Sequence, residues 1–576
     1  MWTPIVMTAV ALAGAAPTPG DDVELSFDIW DWTAPAQDLG VFRAWTADLA
    51  EIGFNCVEIS VPWRELEPRR GELDLGWLAD RLAICEEAGL RVRLRINSYY
   101  GGATPEWYDG AVWRTAEGDA APQAPPSILD ETFWRHYGAM CTAIAELCRG
   151  RDVYHNAFIG IHAELKFADW WHFDEALLAA WREAIAAPRP DWLRDVVEDD
   201  AALPDRPEIP ENTNGTPDTS AASRAVIAFR EWCWREAVRR FEEAIRRGDP
   251  DARISAPLGE SYRRQSAHMS NHDYWGLTRG AQQVVHSYDF FWHGRDPSWM
   301  AAAAVAAFRG ISGQPTMFEF DSPSGLERLG YSHAHLLALG RQAMAAGAGL
   351  KIANRSYEEA LPSTTPIVVD LVRLWKSGAP IRHPDPALAA PREETVLLFV
   401  SKWAGYSYRE SDEWLHAAQF GMYKLLRDLH LPVRVICEEN LGEDLSGYRA
   451  LVAAFSPREL MPRSARERFA ALELPLIEDV PRVPARRAEG EAIPETRTEG
   501  VARIRAASDA TPTAPLDLKA LGAGYAFGLE AGDARFGAHA PGRVVFGFPV
   551  GALYAAGDQD NELQGAMLWA LDQATR

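Results

Sequence analysis

The sequence predicts an α/β protein: a (β/α)8 TIM barrel followed by a flavodoxin-like α/β domain. Three observations predict it. Eight β-rich runs alternate with long amphipathic helical patterns between Val23 and about residue 390. Those runs end in polar or aromatic residues, and no GxGxxG or GxxxxGKS follows any of them, which disfavours a doubly wound nucleotide-binding sheet there. Past about residue 390 the pattern changes to short buried strands and helices with brief connections.

The eight runs are VELSFDIWDW (23–32), NCVEISVPW (55–63), RVRLRINSYY (91–100), AFIGIHAELKF (157–167), ARISAPLGES (252–261), VVHSYDFFW (284–292), TMFEFDSPS (316–324) and GLKIANRSY (349–357). Helical patterns such as LGWLADRLAICEEAG (75–89) and FREWCWREAVRRFEEAIRRG (229–248) lie between them. The organisation expected is a leader over 1–22, a barrel over 23–390 and a second α/β domain over 391–576. In that domain, strands fall at 395–403, 432–440, 448–457 and 474–480. A polar stretch (482–515) follows, and 542–554 with a closing helix (561–573) rejoin the sheet.

A barrel of this kind builds its site at the C-terminal ends of the strands. Those ends supply Asp28, Trp30 and Trp32, then Trp63 and Glu65, then Arg95, Asn97 and Tyr99. The fourth run gives His162, Glu164 and Lys166, and the fifth Glu260 and Tyr262. The later runs give His286, Tyr288, Asp289, Trp292, Glu319, Asp321, Asn354 and Arg355. Carboxylates, aromatics and hydrogen-bonding side chains in one pocket suit a polyhydroxylated ring. Two long insertions, 101–130 and 187–222, are placed to wall that pocket.

Composition narrows the partners. The formal net charge is −24, so no basic excess is available for nucleic acid or an anionic membrane surface. The 22 tryptophans favour a carbohydrate substrate modestly, because flat apolar rings stack on sugar faces. The six cysteines form no CxxC or Cys/His cluster, so neither a metal nor another cofactor is expected. Cys141 and Cys148 lie two helical turns apart, roughly 10 Å along the axis, too far to bridge. Cys437 ends a strand without a glycine elbow and reads as a structural thiol. The N-terminus is apolar from Ile5 to Ala13 and then small, which resembles a signal-peptide core with cleavage near Ala15 or Ala16. No basic n-region precedes it; export to the periplasm or medium is the expectation, a cytoplasmic location the alternative.

The chemistry is expected from two carboxylates. Hydrolysis of a glycosidic bond needs one acid to protonate the leaving oxygen, and a second carboxylate to attack the anomeric carbon or activate water. Glu164 ends the fourth run and Glu319 the seventh, so the two can face each other across the mouth. Arg95 is placed to keep the nucleophile ionised. Trp30, Trp63, Arg95, Asn97, His162, Trp171, Tyr288, Trp292 and Asn354 are the expected substrate contacts. Each has a structural alternative: Glu164 paired with Lys166, Glu319 paired with Arg355, or tryptophans buried in the core.

Residues 53–96, GFNCVEISVPWRELEPRRGELDLGWLADRLAICEEAGLRVRLRI, resemble the second and third βα units of clan A glycoside hydrolases, especially the family 42 β-galactosidases. The helix over 229–248 follows a Pro-rich insertion, as in that family. The domain after residue 390 resembles the family's amidotransferase-like trimerisation domain. The resemblance implies a retaining exo-β-glycosidase with Glu164 as acid/base, Glu319 as nucleophile, no cofactor and a homotrimer. The chain departs from the family at Ala163, where clan A members carry an Asn that hydrogen-bonds the sugar 2-hydroxyl. HAELKF also resembles the run around the catalytic acid of β-amylases, which invert. An inverting barrel hydrolase and a non-catalytic sugar-binding barrel are therefore the competing expectations.

Overall fold

The computed structural model describes residues 24–30, 33–99, 102–114, 117–120, 124–159, 173–208, 218–259, 273–288, 298–321, 331–354, 361–377, 390–408, 412–479, 525–527, 537–540, 542–546, 550–551, 554 and 561–575. The leader, His162, Glu164, Lys166, Trp171, Trp292, Arg355 and the polar stretch at 482–515 lie outside the described residues, as do parts of both insertions.

The first eight strands close into one parallel barrel. They are β1 (Leu25–Ile29), β2 (Cys56–Pro62), β3 (Arg91–Asn97), β4 (Val153–Phe158), β5 (Arg253–Gly259), β6 (Gln283–Tyr288), β7 (Thr316–Asp321) and β8 (Gly349–Asn354). β8 pairs back to β1 through Leu25 opposite Leu350. Seven fall within or nearly within the runs predicted from sequence; β4 begins four residues before its predicted run (157–167) and shares only Ala157 and Phe158 with it, the rest of that run beyond Ile159 lying outside the described residues.

Alternation along the strands decides what faces where. On β1, Phe27 turns outward and packs edge-on against Trp45 and Phe54, with ring centroids 5.9 and 5.6 Å apart. Val57, Ile59 and Val61 of β2 are equally buried under the helical layer. The surrounding helices begin on side-chain caps: Asp38 accepts from the Val41 amide, and Ser332 from the His335 amide. The helix Leu39–Ile52 ends on Gly53, whose φ of 106° only glycine adopts without strain.

The motif that carries the family resemblance proves to be scaffolding. The Asn55 side chain accepts the Leu25 amide at 2.8 Å and ties β1 to the start of β2. Trp63 Nε1 donates to Glu67 at 2.7 Å, and the Gly71 amide donates to the same carboxylate at 2.8 Å. Asp74 accepts the Gly76 amide at 2.8 Å and so shapes the entry to the helix Gly76–Glu87.

A second sheet follows, of seven strands: β9 (Val396–Phe399), β10 (Val433–Ile436), β11 (Ala450–Ala453), β12 (Leu476–Asp479), β13 (Tyr525–Phe527), β14 (Gly537–Ala540) and β15 (Arg543–Phe546). Its order is β10-β9-β11-β12-β15-β14-β13. The first five strands of that order are parallel, and the last two hydrogen-bond antiparallel. The parallel part has the 2-1-3-4-5 order of a flavodoxin-like sheet. Residues 543–546 rejoin it beside β12, as the sequence suggested.

The sheet is docked on the barrel through both backbone and charge. The helix Trp299–Ser312 lies against β10 so closely that a Cβ on Gly310 would stand 2.2 Å from the Val435 carbonyl oxygen. Gly310→Val should therefore push the two apart and cost about 1–3 kcal/mol or more. A lowered thermal midpoint by circular dichroism is the expected reading, and an unchanged one would refute the close approach.

Beside this contact, Lys402 Nζ reaches Glu231 at 2.8 Å, Asp273 at 3.0 Å and Glu439 at 2.5 Å; Asp273 is fully buried, and Lys402 and Glu231 nearly so. Arg235 adds pairs to Asp273 and Glu439. The three acids could between them hold a metal ion, but the Lys402 ammonium already stands in their midst. Lys402→Met leaves Arg235 as the cation beside them among the described residues, and should cost about 3–5 kcal/mol in denaturant unfolding. A loss below about 1 kcal/mol would show that the cluster does not hold the domains.

The six cysteines are free and buried. Burial pushes the Cys437 thiol well up, and Glu439 and Glu438 add to it, so the thiol stays protonated.

Candidate active site

The interior of this barrel is not filled by the branched aliphatics usual for the fold. β3 carries Arg93, Arg95 and Asn97 inward, and the two arginines meet acids from β1, β2 and the strand entry at Glu24. In the lower layer the Arg93 guanidinium pairs with Glu24, and its Nη1 donates to Ser26 Oγ at 3.1 Å. Gln283 of β6 donates to the same Glu24 at 3.2 Å.

Above it lies the central group. Arg95 Nη2 stands 2.7 Å from Asp28 and 2.5 Å from Glu58. Lys351 Nζ donates to Glu58 at 2.8 Å, lies 2.7 Å from Glu319 and is 3.9 Å from Asp28. Arg93 Nη1 is 3.5 Å from Glu58. All of these side chains are fully buried. Five strands thus contribute to one charged cluster, and Glu319 of β7 is its outermost acid along the pairing.

Two carboxyls at its centre differ by surroundings. Burial pushes Asp28 up, Glu58 and Glu319 add to this, and Arg95 and Lys351 oppose it; the result is about 7. Burial also pushes Glu58 up, but Arg95, Lys351 and Arg93 together outweigh it and hold the carboxyl at about 2. Counting Glu24, the fully or nearly buried groups of the set among the described residues are three cations (Arg93, Arg95, Lys351) and four acids. With Asp28 protonated the charges balance, which is what a dry interior demands.

The expected contacts sort unequally. Trp30 is fully buried, with the Arg95 guanidinium 3.9 Å from its ring centroid and Phe158 edge-on at 5.8 Å. It roofs the charged cluster. Asn97 is buried beside it and accepts the Tyr99 amide at 3.1 Å.

Trp63 is a correction. Its ring packs against Trp107, Tyr108, Phe133 and Tyr137 and its N–H is bound by Glu67, so it is a core residue rather than a sugar platform. Glu65 is exposed and pairs with Arg64. Arg95 does not hold Glu319: β8 is the neighbour of β7, and the register sets Lys351 directly opposite Glu319. Lys351, Glu58 and Arg93 were not singled out from sequence. The signal for Arg93 was the cation–apolar alternation of RVRLRI. For Glu58 and Lys351 it was a lone charge inside an apolar strand. His162, Glu164, Trp171 and Trp292 lie outside the described residues, as do the side chains of Tyr288 and Asn354.

Comparison with known proteins places this geometry. Residues 38–112 match the family 42 glycoside hydrolase model, described as beta-galactosidase. The match spans β2 and β3, and bears out the resemblance seen in residues 53–96. No curated protein matches the chain. Among solved structures the chain is similar to the β-galactosidase of psychrophilic Marinomonas ef1, with a TM-score of 0.64, 14% identity, and 96% of this chain and 91% of that one covered. It is also similar to the β-galactosidase of the haloarchaeon Halorubrum lacusprofundi, with a TM-score of 0.63, 13% identity, and 96% and 90% covered. A third is that of Bacillus circulans sp. alkalophilus, with a TM-score of 0.56, 14% identity, and 80% and 71% covered. These likenesses are of fold.

Proposed function

We propose that the protein is a glycoside hydrolase that releases a terminal β-linked sugar with retention, at the mouth of the barrel. Glu319 is the nucleophile and Glu164 the acid/base. The observation that carries this reading is the setting of Glu319: a fully buried carboxylate on the inner face of β7, 2.7 Å from a lysine ammonium. An ammonium at that distance favours the charged form of a carboxyl and holds its direction. The family match over residues 38–112 and the β-galactosidase names of the similar structures support the substrate class.

The first step breaks the glycosidic bond. A Glu319 oxygen attacks the anomeric carbon while Glu164 gives its proton to the leaving oxygen. In the second, Glu164 takes a proton from water, whose oxygen displaces Glu319 and restores both carboxyls. Ala163 offers no side-chain amide beside the acid/base, so recognition of the 2-hydroxyl falls to other groups. The resemblance also carries a homotrimer, which sedimentation equilibrium reads, and the leader carries export, which the N-terminal sequence of secreted protein reads.

A release assay against nitrophenyl α- and β-glycosides tests the reading, with wild type beside Glu164→Gln and Glu319→Gln. Turnover of a β-glycoside that falls in both variants is expected. Wild-type turnover in Glu319→Gln would overturn the assignment. A wild type silent on every glycoside, yet binding the sugars, would favour a sugar-binding barrel.

A further inference from the structure

We propose that Lys351 is a positioning residue for Glu319, fixing the direction and charge of the carboxylate from the adjacent strand. The proposal rests on the reading of Glu319 as nucleophile. The argument begins with register: Glu319 and Lys351 are direct partners on β7 and β8, so their side chains leave the sheet side by side. The ammonium lies 2.7 Å from Glu319 and 2.8 Å from Glu58. A hydrogen bond to Glu58 of β2 and an ion pair with Glu319 of β7 fix where the ammonium stands. A flexible four-carbon stem is thereby made rigid, and the Glu319 oxygen it touches is fixed with it.

Among the described residues, the charged groups that face the pair lie on the strands around it. Asp28 of β1 is 3.9 Å from the ammonium, and Glu58 of β2 is its second acceptor. Arg95 and Arg93 of β3 approach Glu58 from its other side. On β6, Ser287 stands in register with Glu319. The cations on β3 pair with Asp28, Glu58 and Glu24, and among the described residues Lys351 is the cation 2.7 Å from Glu319. The arrangement has a chemical consequence. As Glu319 transfers its charge to the sugar bond, the ammonium stays balanced by Glu58. It therefore does not pull the carboxylate back as strongly as an isolated lysine would.

The test is a pH–rate profile of aryl β-glycoside turnover for wild type, Lys351→Met and Lys351→Arg. Lys351→Met is expected to lower kcat about 100-fold with KM changed less than threefold. Its acidic limb should move upward in pH, since the carboxylate has lost its neighbouring cation. Lys351→Arg should restore most of the rate and the position of the limb. An acidic limb and kcat unchanged in Lys351→Met would overturn the inference and leave the reading of Glu319 intact. That reading fails separately, if Glu319→Gln turns over like wild type, and the inference then falls with it.

Should Lys351→Met not fold, infrared difference spectra of wild type against Glu319→Gln read the same quantity. The Glu319 carboxylate band should persist below about pH 4, under the ordinary glutamate value. Its disappearance at or above the ordinary value would overturn the inference.

Discussion

Glu58→Gln is expected to be the most damaging single change to stability in the barrel. It removes the acid that Arg95, Lys351 and Arg93 share, and leaves three buried cations with too few partners. Breaking a buried pair from one side costs about 3–5 kcal/mol, because the remaining charge has no water to return to. The loss should appear as a lowered denaturation midpoint or as insoluble protein.

Asp28→Asn, one strand away, is the contrasting case and should change stability by about 1 kcal/mol or less at pH 5. The difference follows from which carboxyl is ionised. Glu58 is held at about 2, below its ordinary 4.5, so its contribution is full above 4.5 and is lost as pH falls through 2. Asp28 is raised to about 7 from 3.8. The folded chain thus holds a proton in that window that the unfolded chain has released, and the contribution of Asp28 falls as pH rises from 3.8 through 7. Wild type should therefore lose ground to Asp28→Asn between pH 5 and pH 8. A Glu58→Gln protein as stable as wild type would refute the charge-balanced interior.

Glu319→Gln should abolish turnover by three orders of magnitude or more, about 4 kcal/mol of transition-state stabilisation. The amide neither attacks the anomeric carbon nor carries the charge that stabilises the oxocarbenium-like transition state. Stability should fall less than for Glu58→Gln, since Lys351 keeps Glu58 as a partner. Glu164→Gln should separate from it by leaving group. With a nitrophenyl glycoside the first step needs little protonation, so the loss concentrates in release of the sugar from the enzyme. With an alkyl glycoside both steps suffer. Equal losses for the two leaving groups would contradict the role of Glu164.

The barrel was legible because its strands are short apolar runs at regular intervals, and the family resemblance because Asn55, Trp63, Glu67 and Asp74 lie in one contiguous stretch, where they build the turn and the helix entry after β2. The site was legible in part. Glu319 stood out as an acid near a strand end, and Arg95 as a cation within one. What periodicity cannot give is partnership. Glu58 and Lys351 are 293 residues apart in sequence, and only closure of β8 onto β1 brings them together. Alternation shows that a charge faces inward, not which opposite charge it meets. Hence Arg95 was matched to Glu319, when the neighbouring strand supplies Lys351. Trp63 misled for a similar reason. It sits at a strand end as a sugar platform would, but the following turn folds Glu67 back over its N–H.

The account centres on Glu319 as the group that bonds to sugar, and covalent trapping tests this most directly. Wild type would be incubated with a 2-deoxy-2-fluoro aryl β-glycoside that it turns over slowly, then digested and mapped by mass spectrometry. One added sugar on the peptide containing Glu319, with fragmentation placing it on that side chain, is the predicted result. A sugar on a different carboxylate, or an inverted product with no adduct, would contradict the account.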